Sequence, residues 1–277
     1  MKVYISFDFE GVAGIVDWEQ CREGGAAYAL GCELMLGEVN AAIDGAVEGG
    51  ADEIVVNDSH STMRNLDPSA LAHEVMYVSG RHKQHYMMQQ LDDSFDVIFF
   101  VGYHGSISGA ASTLSHTYNP EVFSAARVNG VEVGESGINA LVADHYSVPI
   151  GLVTGDDATQ QQTAPFARNA VRVVTKYSDS RFSAKNLHPT ASRRLIRAGA
   201  LEAVQRASSG RLARVDLTHP VQLDLDVQTG DMAEVGSWVK GAERIGTRTI
   251  RIESDDSLAA FESFVAVNYI TRQAGGR

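Results

Sequence analysis

The sequence predicts an α/β fold: a mostly parallel sheet with helices on both faces, followed by a smaller C-terminal α+β domain. Three observations carry this expectation. Short, unbroken apolar runs recur along the first two thirds of the chain, separated by helix-length segments, as in strands buried on both faces. Past about residue 180 the runs alternate apolar with polar instead, the pattern of a strand with one wet face. The chain has 277 residues, 44% of them hydrophobic, enough for a main domain with a smaller companion.

The elements follow in order. Residues 2–7 read as a buried first strand. Helical periodicity across 28–48 stops at Gly49-Gly50, a C-terminal signal. Strands are expected at 53–57, 74–78 and 96–101, a helix at 137–146, and strands at 149–153 and 170–175. A long helix runs from Pro189 to Ala207 and ends at Ser208-Ser209-Gly210. Residues 221–227 and 247–253 alternate, and 257–271 form a last helix. This divides the chain into a larger α/β domain at 1–180 and a smaller α+β domain at 181–277. The tail, 273–277, is expected to fray.

Composition excludes several classes. With 23 basic and 35 acidic residues the net charge is −12, unsuited to displacing counterions from nucleic acid. No apolar run approaches the ~20 residues of a membrane span. Asp8 comes too early for a secretory signal, so a cytoplasmic location is expected. Cys21 and Cys32 form no CxxC pair, which removes a cysteine-based zinc site.

In open parallel sheets, ligands bind beyond the carboxyl ends of strands. There this sequence gathers Asp8-Phe9-Glu10-Gly11, Asp58-Ser59-His60, Gly102-Tyr103-His104-Gly105 and, opening a helix, Gly134-Glu135. Asp-x-Glu in an extended segment projects both carboxylates to one side, where they repel unless a cation lies between them. A single Asp after a strand is usually a turn or cap residue, and a single His is usually a satisfied surface group. On that ground His73, His82, His85, His145, His188 and His219 are set aside, while His60 and His104 follow strand ends. Oxygen and imidazole donors without thiolate suit zinc. More candidate donors gather here than the three protein ligands usual for one catalytic zinc. Two ions ~3.5–4 Å apart could share a carboxylate, hold a bridging hydroxide and polarise a carbonyl.

These segments, with Asn57-Asp58-Ser59-His60-Ser61, Leu114-Ser115-His116, Val133-Gly134-Glu135-x-Gly-x-Asn139-Ala140 and Gly155-Asp156-Asp157, resemble the D-aminopeptidase family of binuclear zinc peptidases. The resemblance implies metal ligands at Asp8, Glu10, His60, His104 and Glu135, with Asp8 bridging two zinc ions per subunit, and a catalytic histidine at His116. It implies cleavage of the N-terminal residue, D-configured included, from short peptides. It also implies a homo-oligomer, a decamer of stacked rings around a chamber. The loop 105–113 is rich in Gly, Ala and Ser and lacks basic residues, which leaves substrate preference open. Asp58 is read as a turn residue or a partner of a ligand histidine, and Asp156 and Asp157 as helix caps. Two other readings use the same ions. A phosphoesterase would need phosphate-binding groups, for which Arg127 is the nearest candidate, and a non-catalytic peptide-binding metalloprotein would have no need of His116.

Overall fold

Val3, Tyr4, Ile5 and Phe7 are fully buried, so β1 (Lys2–Phe7) has no wet face and sits inside a sheet covered on both sides. Each such side chain contributes about 1.5–3 kcal/mol by leaving water. In the computed structural model, which describes residues 1–275, β1 is followed by α1 (Tyr28–Glu48), β2 (Glu53–Asp58), β3 (Met76–Val78) and β4 (Val97–Tyr103). Next come β5 (Phe123–Val128), β6 (Val131–Glu132), α2 (Glu135–Tyr146), β7 (Ile150–Asp156), α3 (Asp157–Thr163), β8 (Val171–Ser180) and β9 (Ser183–Asn186). The chain closes with α4 (Pro189–Ser208), β10 (Val221–Val227), α5 (Gly230–Gly236), β11 (Ala242–Arg244), β12 (Thr249–Ser254) and α6 (Ser257–Ala274).

The main sheet has the order β3-β2-β1-β4-β7-β8-β9, parallel throughout except for β9. Successive strands run outward from β1 on one side and from β4 on the other, so a topological switch point lies between these two neighbours. The carboxyl end of such a point is where open α/β sheets form their binding crevice. One face is covered by α1 and α4, whose Met35, Val39, Ile43, Ile196 and Ala200 pack on Ile5, Phe7 and Phe99. On the other face α2 contributes Ile138, Leu141 and Val142 to a core that continues into the second sheet.

The second sheet, β11-β12-β10-β5-β6, is antiparallel in every pairing. Helix α6 packs on α2, α5 and β12 and fills the space between the sheets with Phe261 and Phe264. The expected division at residue 180 does not fall between the sheets. β5 and β6 precede it yet belong to the second sheet, while β9 and α4 follow it yet belong to the main one. The reason is non-local: β5 finds its partner in β10, Val128 opposite Leu223, a pairing that local periodicity does not encode. Most boundaries agree with expectation, α1 at both ends. Helix α6 runs past the expected stop to Ala274, and of the expected frayed tail Gly276 and Arg277 lie outside the described residues.

Candidate metal centre

Every residue implied as a ligand stands at the carboxyl edge of the main sheet. Asp8 directly follows β1 and Glu10 lies two residues on. His60 follows β2, His104 follows β4, and Glu135 is the first residue of α2. His116 comes from the loop between β4 and β5. Two glycines let the ends of β1 and β4 meet. A Cβ on Gly11 would lie 1.9 Å from the Tyr103 carbonyl oxygen, and Gly102 takes φ +72°, where a Cβ would lie 2.3 Å from the Asp8 carbonyl oxygen. The glycines in Asp-x-Glu-Gly and Gly-Tyr-His thus bring the segments bearing Asp8, Glu10 and His104 into contact.

The side chains form two adjoining groups. Asp8, Glu10 and His60 make one, and His104, His116 and Glu135 the other, each able to offer three ligand atoms within 4.8 Å of one another, all buried. In the first, His60 Nδ1 lies 3.1 Å from Asp8 Oδ1 and 3.2 Å from Glu10 Oε2. In the second, His104 Nε2 and His116 Nε2 lie 3.7 and 3.4 Å from Glu135 Oε1. Asp8 connects the two, because its Oδ2 is 3.4 Å from His104 Nε2. Asp8 Oδ2, both Glu10 carboxylate oxygens and His104 Nε2 are buried without a hydrogen-bond partner among the described residues. Unpartnered buried polar atoms cost about 1–3 kcal/mol each, more when charged. Their convergence fits divalent cations held by oxygen and imidazole donors.

Each histidine has its other ring nitrogen engaged by a main-chain carbonyl: His60 Nε2 at 2.9 Å from Cys21 O, His104 Nδ1 at 2.9 Å from Gly105 O, and His116 Nδ1 at 2.9 Å from Leu114 O. Donation to these carbonyls sets the tautomer and points the free lone pair into the cluster, the arrangement usual for metal-binding imidazoles. The electrostatics are those of crowded charge. Burial, then the Glu10 and Glu135 charges, push the Asp8 carboxyl up to about 8. Burial would raise Glu10 too, but the His60 ring outweighs it and holds Glu10 well below the carboxylate range. Burial opposes the charged form of His104, yet Glu135 prevails and brings it up to about 10. His116 moves the other way, lowered by burial and then by the charge of His104. His116 therefore presents a neutral ring with an open Nε2.

Outer residues hold the loops. Asp58 does not touch the His60 ring. Its carboxylate accepts from the Asn65 amide and from the Tyr77 hydroxyl at 2.8 Å, and Asn65 Nδ2 donates in turn to the His60 carbonyl. Asp156 caps α3 through Thr159 N at 2.8 Å, and its other oxygen accepts from Ser178 Oγ at 3.0 Å and Thr113 N at 3.2 Å, anchoring the loop that leads to His116. The sequence left Lys176 unremarked. It is fully buried on β8 and donates to the Glu10 and Ile15 carbonyls, fixing the turn after β1. Nothing in a lone Lys within a strand pattern signals this. The set-aside histidines are engaged elsewhere: His73 with Asp44, His85 with Glu262, His145 with Asp256 and His219 with Asp144, while His188 caps α4 and His82 packs edge-on against Tyr269. Arg127 pairs with Asp226 at 2.7 Å in the second sheet and does not line the cleft.

Comparison with known proteins agrees with this geometry. A family model described as D-aminopeptidase (peptidase M55) matches residues 1–266. The chain is 32% identical over 272 residues to the D-aminopeptidase of Bacillus subtilis (strain 168), covering 96% of each. Its fold superposes on the solved structure of the Zn-dependent D-aminopeptidase DppA from Bacillus subtilis, described as a self-compartmentalizing protease. The TM-score is 0.90 at 30% identity, over 99% of this chain and 98% of that one. With the family matched along nearly the whole sequence and its motif residues gathered at one sheet edge, the chain belongs to the D-aminopeptidase family.

Proposed function

We propose that the protein is a metal-dependent aminopeptidase that removes the N-terminal residue of short peptides, using two zinc ions held by Asp8, Glu10, His60, His104 and Glu135. The observation that carries this reading is Asp8, whose two carboxylate oxygens face the two groups separately. When bound, a pair of zinc ions supplies Lewis acidity that lowers the pKa of a water and polarises the scissile carbonyl. The protein's own residues do the rest. Glu135, at the positive end of α2, accepts from Tyr118 N at 2.7 Å, which orients it. His116 lines the cleft and is the proton-transfer group. Its Nε2 takes a proton from the attacking water and returns it to the departing amine nitrogen, while Nδ1 stays tied to Leu114 O. Trp18, edge-on to His116 at 5.5 Å, limits water on that flank.

A screen of D- and L-configured dipeptides with zinc-loaded protein, with and without chelator, tests the activity and its stereochemistry together. Turnover of p-nitrophenyl phosphate but no peptide would favour the phosphoesterase reading instead. Zinc binding with no turnover of either would favour a binding protein. The likeness to a self-compartmentalizing relative supports a closed homo-oligomer, a decamer by the resemblance above. Light scattering well above the 29.8 kDa chain checks it. No helix among the described residues is long and apolar enough to cross a membrane, and we place the enzyme in the cytoplasm.

A further inference from the structure

The two metal groups line only part of the cleft, a cavity of about 300 Å³. That volume lies at the small end of the ~300–1,000 Å³ range of ligand pockets. The rest of the lining is unexpectedly cationic for a chain of net charge −12: Arg22, Arg81 and Arg272 face it, against one carboxylate outside the metal groups, Glu121. Arg22 lies over the Trp18 ring, 5.0 Å from its centroid. Arg81 and Arg272 are exposed and have no ion-pair partner among the described residues. They reach the cleft from separate places, Arg81 from the loop after β3 and Arg272 from the last turn of α6.

Both arginines border the same stretch of the cleft: Arg81 adjoins His82, whose ring packs on Tyr269, three residues before Arg272. Tyr86 packs against Tyr269 as well, ring centroids 6.0 Å apart. Burial pushes the Tyr86 hydroxyl up to about 12, with the charges of Tyr269 and Glu135 adding to the rise and those of Arg81 and Arg272 opposing it. One turn before Arg272, on the same face of α6, Asn268 also lines the cleft. It is 6% exposed and its side-chain amide makes no hydrogen bond among the described residues; its Nδ2, not the acceptor Oδ1, is the atom able to donate to an anion.

We propose that Arg81 and Arg272, with Asn268 beside them, bind the C-terminal carboxylate of the substrate, making the enzyme selective for very short peptides with a free C-terminus. This rests on the aminopeptidase reading of the metal centre. The carboxylate is the one anion every free peptide carries whatever its side chains, and a guanidinium fork matches it in a bidentate pair. Because the arginines share one small cavity with the metal groups, and an extended chain spans ~3.3–3.6 Å per residue, the carboxylate belongs to the residue following the cleaved bond or the next one.

The test compares a free-acid dipeptide, Ala-Ala in the better-turned-over configuration, with its C-terminal amide. Zinc-loaded wild type should favour the acid by roughly 10- to 100-fold in kcat/KM, as a charge-assisted contact would give. In Arg81→Gln/Arg272→Gln the ratio should fall towards one, chiefly through KM. In parallel, calorimetry with a non-cleavable reduced-bond analogue, as acid and as amide, reads binding without turnover. A wild-type ratio near one in both measurements overturns the subsite while leaving the peptidase intact. A ratio that survives the double substitution overturns the residue assignment. Discrimination of the bound analogues without turnover of either peptide upholds the subsite and faults the peptidase reading. A preference that follows an acidic side chain rather than the terminal carboxylate also overturns the proposal.

Discussion

The His104 and His116 rings lie face to face, centroids 4.4 Å apart and planes 17° apart. Their Nδ1 atoms donate to the Gly105 and Leu114 carbonyls, so both Nε2 atoms turn towards Glu135. This places His116 within ligand reach of the second group, yet His116 lines the cleft and His104 does not. A substrate-facing role follows. Replacing His116 by Ala should lower kcat by ~10²–10⁴-fold, the usual contribution of a proton-transfer group, with zinc content unchanged by elemental analysis. Loss of one zinc per subunit in that variant would make His116 a ligand.

Asp8→Ala should lose both ions, because its two oxygens serve both groups. His60→Ala, which touches the first group alone, should lose about one. Equal losses in the two variants would count against a bridging Asp8. Metal content should be read on protein purified in zinc and freed of excess by gel filtration.

Removing metal should destabilise the fold. Asp8, Glu10 and Glu135 are buried together, and without a cation between them their mutual repulsion is offset mainly by the imidazoles. Zinc at a thousandfold excess over its Kd contributes about 4 kcal/mol by mass action, and a chain of this size should then melt roughly 10 °C higher than the chelated form. Calorimetric melting with and without chelator measures the difference, and identical melting temperatures would refute a site that binds the native state alone.

Lys176→Met should cost about 2–4 kcal/mol in urea unfolding, since the Glu10 and Ile15 carbonyls lose their buried donor. The cost should depend on pH. Burial pushes the Lys176 ammonium down to about 8 in the folded chain, below its ordinary 10.5. Between those values the unfolded chain binds the extra proton, so wild-type stability gains with rising pH relative to the Met variant, on the order of 1 kcal/mol per unit from pH 8 to 10. A gap that narrows over that interval would show that the lysine is not desolvated in the native state.

Much of the fold and site was legible along the chain. Helix α1 could be bounded at both ends because its periodicity ends at Gly49-Gly50, a local stop signal. Candidate ligands could be picked out because strand ends are marked by a change from apolar to polar residues, and parallel sheets place those ends at one edge. Asp8, Glu10, His60 and His104 were readable for that reason, and the family's motifs singled out Glu135 and His116. Gly11 and Gly102 stand within the motifs, but their purpose was not legible there, since the contact each permits is with another strand.

What only the tertiary structure decided has a common physical origin in pairings between distant segments. β5 enters the second sheet because β10 offers it hydrogen bonds across the whole length of α2 to α4, and no local pattern carries that information. Lys176 became part of the metal-site turn because β8 lies where its ammonium reaches the carbonyls after β1. Arg81, Asn268 and Arg272 line one cleft because α6 packs against the loop after β3, through Glu262 with His85 and Tyr269 with His82 and Tyr86. Sequence determined which groups could bind metal, through the chemistry of single side chains and local geometry. Folding decided which charges face each other, because that depends on the packing of elements far apart in the chain.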